Sequence, residues 1–235
     1  MNLMKKTIYS EIQKKSYDYY LLTTSKTLEE AYILYVQDGR NYLELGSFER
    51  TVRGIIETDP KWAQKLVFVL IHPGGSQERW NSYHRQGSAF AGYIRFFTEE
   101  LIADVEQRLN VPVVKRGLLG DSLGGNISLN IALTNPDQWT HLLLQSAAVS
   151  EAEIKAVEEL EWSLNWSIYQ TVGIYEDEFI SPITNTKLYL LTRNRKLFDV
   201  FKKKQAYVAY TEKEEEHLWT FWQKDLTNAL RFFIY

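Results

Sequence analysis

The stretch KRGLLGDSLGGNISLNIAL, residues 115–133, passes from an apolar run through Gly120-Asp121-Ser122-Leu123-Gly124 into a helical pattern. Gly-x-Ser-x-Gly is short, and at ordinary residue frequencies of about 7 % chance places it in roughly one chain in ten of this length. Its meaning depends on its flanks. Val113–Leu119 reads as a strand entering Gly120, and Leu123–Leu133 reads as a helix leaving the corner. Ser122 then occupies a strand-to-helix turn. A serine backbone there is strained, and Cβ atoms at positions 120 and 124 would collide with the neighbouring strand and helix. The first amides of the helix, from Leu123 on, aim their N–H groups at the same point, where an oxyanion could develop. Asn126, Ser128 and Asn130 read as solvent-facing or local capping residues. The competing reading of Ser122 is an ordinary turn serine.

Outward from this corner the pattern alternates. KKTIYSEIQ and SYDYYLLTT open the chain with alternating polar and apolar residues, as antiparallel strands do. Short apolar runs follow at Ala31–Val36, Leu66–Ile71, Val111–Leu119, His141–Leu144, Ile168–Val172 and Ala206–Tyr210, each with an amphipathic segment after it. In FFTEELIADVEQRLN, Phe97, Leu101, Val105 and Leu109 share one helical face; near the end of the chain Trp222, Leu226, Leu230 and Phe233 form another. Strands alternating with helices predict an α/β fold with a mostly parallel central sheet covered by helices on both faces. Two antiparallel N-terminal strands and about six βα units match the strand count of an α/β hydrolase. Catalytic groups in such a sheet sit on loops at the carboxyl ends of strands. One domain over residues 1–235, with no large lid, is expected.

Composition narrows the function. The chain of 235 residues is 45 % hydrophobic and 24 % charged, enough for a sizeable core under a polar surface. A net charge of −3 argues against a nucleic-acid partner. The absence of cysteine excludes disulfides, thiolate metal sites and a cysteine nucleophile. The opening MNLMKKTIYSEIQKK has no apolar run like a signal peptide, and no window approaches the ~20 apolar residues of a membrane span. A cytoplasmic protein without a membrane partner is the expectation; the oligomeric state is open.

A serine hydroxyl needs a base before it attacks a carbonyl. Of four histidines, His72 and His84 precede Ser122, and His141 opens an apolar run as a structural residue would. His217 follows the last strand-like run and precedes the terminal helix, where the order serine, acid, histidine requires the base.

Four stretches taken together, YILYVQDGRNYL, FFTEELIADVEQRLNV, GLLGDSLGGNISL and HLWTFWQKDLTNALRFF, resemble the esterase D-like and enterochelin-esterase-like α/β hydrolases. They span nearly the whole chain in the family's order. The resemblance implies a serine esterase with Ser122 as nucleophile and His217, in His-x-Trp-x-x-Trp, as base. It implies oxyanion donors at the N–H of Leu123 and just after Asp38-Gly39, at Arg40. The family's Val-Gly-x-x-Glu pattern falls on Glu176 in QTVGIYEDEF, ahead of its neighbours Asp177 and Glu178; some relatives resemble a dyad with no acid. Glu215-Glu216 stand where relatives carry glycines, an acidic cluster that would favour the imidazolium.

IHPGG, residues 71–75, reads either as an oxyanion loop like those of lipases or, from its place after the run Leu66–Ile71, as a wall of the pocket, and the second reading is preferred. The segment HPGGSQERWNSYHRQGSAFAGYIR, from His72, is long beside the ~2–6 residues of an ordinary βα loop. Trp80, Tyr83, His84 and Arg85 within it are candidates to line an acyl or alcohol pocket, Trp80 and Tyr83 as substrate-binding residues; packing of the aromatics under the loop is the equal alternative. The expected reaction is hydrolysis of a small-molecule carboxylic ester through an acyl-enzyme, which requires no metal or organic cofactor. The alternatives are a thioesterase or acyltransferase with the same machinery, or a non-catalytic binding protein of the same fold.

Overall fold

A computed structural model describes all residues, 1–235. Strands β1 (Asn2–Ser10) and β2 (Lys15–Thr23) form an antiparallel hairpin in which Lys5 faces Tyr20 and Ile8 faces Tyr17. Then come β3 (Ala31–Val36), α1 (Gly39–Glu44), α2 (Phe48–Thr58) and β4 (Leu66–Ile71). Helices α3 (Ser76–Tyr83) and α4 (Phe90–Arg95) follow; α4 continues through a π-helical stretch, Phe96–Leu101, into α5 (Ile102–Leu109). The second half runs β5 (Val113–Asp121), α6 (Ser122–Thr134), β6 (His141–Gln145), α7 (Glu151–Glu158) and β7 (Ser167–Gly173). It closes with α8 (Leu190–Lys203), β8 (Tyr207–Lys213) and α9 (Trp219–Ile234).

One sheet holds all eight strands in the order β1-β2-β4-β3-β5-β6-β7-β8. From β4 onward across the sheet every pairing is parallel. β4 is buried throughout, and β3 at every position but Tyr32, because both sheet faces are covered. Ile33, Tyr35, Val67 and Val69 point into the core shared with α4, α5, α6 and α8. Leu34, Val36, Phe68 and Leu70 point the other way, against α1, α2 and α9. The hydrophobic stripes expected on the helices face inward: Phe97, Leu101 and Val105 pack in the first core, and Leu226, Leu230 and Phe233 in the second.

After β3 the chain moves outward to β4, and β5 then returns on the other side of β3. That reversal lies between the carboxyl ends of β3 and β5, where loops diverge and leave a crevice. Ser122 sits at its edge.

Two local expectations differ from the structure. The segment after β4 is not an extended loop, because α3 and α4 occupy most of it. α3 carries mostly polar residues and buries only its last turn, Ser82 and Tyr83, so it gives no hydrophobic stripe to read. Asn126, Ser128 and Asn130 do not face solvent: α6 is buried nearly all round. Ser128 Oγ donates to the Gly124 carbonyl, Asn130 Nδ2 to that of Asn126 and Asn126 Nδ2 to that of Tyr83, each at 2.8 Å, so the buried side chains are bonded to backbone. No helix is long and apolar enough to cross a membrane.

Candidate active site

The turn between β5 and α6 is built around positions that tolerate no side chain. A Cβ on Gly120 would lie 2.2 Å from the backbone carbon of Gly124, and one on Gly125 would lie 2.8 Å from the Ala147 Cβ. Ser122 between them has φ 45°, a left-handed conformation that costs a serine about 1–3 kcal/mol. The Ser122 carbonyl accepts the Ala148 N–H at 2.8 Å, which ties the corner to the segment after β6. Leu123 lies in the first turn of α6, where backbone N–H groups have no partner within the helix.

Three elements converge on this corner from the carboxyl edge of the sheet. His217, between β8 and α9, places Nε2 2.8 Å from the Ser122 Oγ. Its Nδ1 lies 2.8 Å from the Glu176 Oε2. Glu176 opens a short 3-10 turn just after β7 and is fully buried. Its other oxygen, Oε1, accepts the Ser146 hydroxyl at 2.6 Å and the Gly173 N–H at 2.9 Å. Ser146, in a left-handed conformation just after β6, in turn accepts the Trp222 indole N–H at 3.0 Å. Phe179 tilts over the imidazole at 4.3 Å, and Trp222 meets it edge-on at 4.9 Å between centroids. The ring is thus fixed at both nitrogens and on its faces.

The neighbouring acids are engaged elsewhere. Asp177 accepts the backbone N–H and hydroxyl of Thr192 at 3.0 and 2.6 Å, and Glu178 pairs with Lys187. Glu215 pairs with Lys224 at 2.8 Å and accepts nothing from the imidazole, whose single carboxylate contact is Glu176. Of the acidic pair expected to act on His217, Glu215 is therefore engaged elsewhere.

On the opposite side of Ser122 lies a second polar group, built on the buried carboxylates of Asp38 and Asp121. Arg79 from α3 grips Asp38 with both Nε and Nη2, the first at 2.7 Å. Burial works against the charge on Arg79, but Asp38 outweighs it and holds the guanidinium protonated. The Asp38 and Asp121 carboxylates both reach toward Gly124, where a Cβ would stand 3.2 and 3.7 Å from their nearest oxygens. Asp121 is fully enclosed and its Oδ1 has no partner. Burial, with Asp38 adding to it, pushes the Asp121 carboxyl well above its ordinary value.

A cavity of about 820 Å³ opens over these groups. It is lined by Ser122, Leu123 and His217, by Trp80 and Arg79 from α3, and by Phe179 and Leu188 from the segment leading to α8. Trp80 is in the wall. Tyr83 is not: it is fully buried and its hydroxyl accepts the Asp38 N–H at 3.3 Å, behind the wall. Arg40, whose expected contribution is its backbone N–H, lies in the first turn of α1, where that N–H has no partner within the helix. Asp38 turns left-handed (φ 56°) into α1, Gly39 packs on Leu70, and the Arg40 side chain runs out to Glu44 at 2.8 Å. Residues 71–75 are absent from the wall too; His72 instead stands 3.6 Å from Asp38. Ser146, Phe179 and Arg79 were not singled out by the sequence, although Ser146 follows a strand's carboxyl end, where the fold rule places functional groups.

The family profile described as Putative esterase matches residues 17–233. The chain belongs to that family. It is a carboxylic ester hydrolase of the α/β-hydrolase fold. A relative from Bacillus subtilis (strain 168), the uncharacterized protein YjcH, is 30 % identical over 214 residues, covering 90 % of this chain and 88 % of that protein. Among solved structures, the enterobactin esterase FES from Shigella flexneri superposes with a TM-score of 0.78 at 15 % identity. All of this chain is covered, but it spans only 58 % of that esterase. The BES protein from Bacillus cereus superposes with a TM-score of 0.72 at 19 % identity, covering 100 % of this chain and 95 % of that one. At these identities the likeness to the solved structures is one of fold.

Proposed function

We propose that this esterase works through an acyl-enzyme, with Ser122 as nucleophile, His217 as general base and Glu176 as the acid of a triad, in one domain without a large lid. The observation that carries this reading is the hydrogen-bonded chain from the Ser122 Oγ through both imidazole nitrogens to a buried carboxylate. His217 Nε2 takes the serine proton as Oγ adds to the ester carbonyl. Glu176 fixes the tautomer with Nδ1 protonated and stabilises the imidazolium that forms. The carbonyl oxygen, now an oxyanion, meets the Leu123 N–H at the start of α6. The imidazolium then hands its proton to the leaving alcohol, and water, activated by the same base, releases the acid.

Glu176 is suited to this task because every contact it makes comes from a donor: Ser146, Gly173 and the imidazole N–H. A cavity of about 820 Å³ with aromatic walls suits a small soluble ester better than a lipid at an interface. The test is a series of para-nitrophenyl esters of graded acyl length. Short chains are expected to be turned over fastest, with Ser122→Ala lowering kcat by about four to six orders of magnitude while the fold persists. Activity in Ser122→Ala within about tenfold of wild type would rule the serine out as nucleophile.

A further inference from the structure

The lining of the cavity is uneven in charge. Four cationic side chains face it: Arg79, Arg85, Lys187 and Arg193. Its only carboxyl is Asp121, which burial and then Asp38 drive toward the neutral acid. The chain as a whole is slightly acidic, at −3, so this excess belongs to the site.

Three of the four cations have carboxylate partners that stand outside the lining. Arg79 pairs with Asp38, Arg85 with Glu153 at 2.8 Å, and Lys187 with Glu178 at 3.0 Å. These pairs use part of each guanidinium: Arg79 donates from Nε and Nη2 to Asp38, and Arg85 from Nε to Glu153 and Nη2 to Asn130. An arginine carries five N–H donors, so each retains unused ones. Arg193 is different. It lies in the first turns of α8 and is half-buried; its backbone N–H bonds to the Tyr189 carbonyl, and its side chain enters no ion pair and no hydrogen bond. The cavity therefore offers apolar contact from Trp80, Phe179 and Leu188, donors in excess, and one cation with no counter-charge.

We infer that the ester taken by this cavity carries a carboxylate, bound by the guanidinium of Arg193. The inference rests on the proposed serine esterase and adds the chemical class of its substrate. A guanidinium presents parallel N–H donors that match the two oxygens of a carboxylate, and a partly desolvated wall strengthens that contact. A neutral ester bound against this wall would leave the Arg193 guanidinium without a counter-charge.

The experiment uses two matched pairs of substrates. The first is mono-para-nitrophenyl succinate against its methyl ester, which differ in charge on the acyl side. The second is O-acetyl-lactate against O-acetyl-lactamide, which differ on the alcohol side. In wild type the charged member of at least one pair is expected to have the higher kcat/KM, with that preference shrinking as salt is raised. Arg193→Gln should lower the charged-to-neutral ratio by about fivefold or more, and Arg193→Lys should restore part of it. The pair that responds shows which side of the ester carries the charge. Turnover of the neutral members reports the esterase itself. If these are hydrolysed while neither ratio exceeds one, or while the ratio is the same in Arg193→Gln, the carboxylate assignment is overturned and the serine esterase stands. If no member of either pair is hydrolysed, both readings fall.

Discussion

On one side of Ser122 stand His217, Glu176, Ser146 and Trp222; on the other stand Asp38, Arg79, Asp121 and His72. Both groups contain buried carboxylates, yet they are bonded in opposite ways. Each oxygen of Glu176 faces donors, and the chain of hydrogen bonds leads without a gap to the Ser122 Oγ. The other side sets two carboxylates against one guanidinium, leaves Asp121 Oδ1 and His72 Nδ1 without partners, and makes no hydrogen bond to the serine side chain. In the proposed mechanism, one side moves a proton. The other is arranged to hold the corner, since Asp38 and Gln37 close over Gly124 and so fix the first turn of α6.

The comparison breaks first at its strongest point, the coupling of Ser122 to His217. His217→Ala should lose as much kcat as Ser122→Ala, about four to six orders of magnitude, and the double variant should be little worse than either single one. Full additivity in that cycle, measured on one short ester, would mean the two side chains act separately.

Glu176→Gln should lose less, about three to four orders of magnitude, because nucleophile, base and the Leu123 N–H remain. Asp177→Asn and Glu178→Gln should stay within about threefold of wild type, since their oxygens serve Thr192 and Lys187 instead. A larger loss for either than for Glu176→Gln would place the acid elsewhere in the loop.

The smallest effect belongs to the other side. Asp121 holds its proton more tightly in the folded chain than its ordinary value of 3.8, chiefly through burial and then through Asp38. Between that value and the higher folded one, the folded state binds more protons than the unfolded state, so this group lowers stability as pH rises across the window. Asp121→Asn keeps the shape of the neutral acid and removes the titration. Its melting temperature relative to wild type should therefore rise with pH above the ordinary carboxylate range. A difference that stays constant with pH would show that Asp121 does not carry the proton.

The two sides were also unequally legible in the sequence. Ser122 and His217 stand at the carboxyl ends of runs whose apolar character marks them as strands; Ala31–Val36 and Leu66–Ile71 match β3 and β4 residue for residue because both their faces are buried. Glu176 came from a family pattern, and the turn after Gly173 brings it to the imidazole. The Asp38–Arg79–Asp121 group joins three distant segments, and no periodicity announces it. The same holds for Ser146, which reaches Glu176 from β6, and for the polar face of α6, whose bonds to backbone carbonyls leave no mark in the hydrophobic pattern. Long-range polar contacts depend on the finished sheet.

The central claim, that Ser122 is activated by His217, is tested most directly by treating the folded protein with a fluorophosphonate and mapping the adduct by peptide mass spectrometry. The account predicts a single adduct on Ser122 in wild type, formed at a rate that collapses in His217→Ala. Ester hydrolysis that survives with no adduct at Ser122, or an adduct that forms as fast without His217, would contradict it.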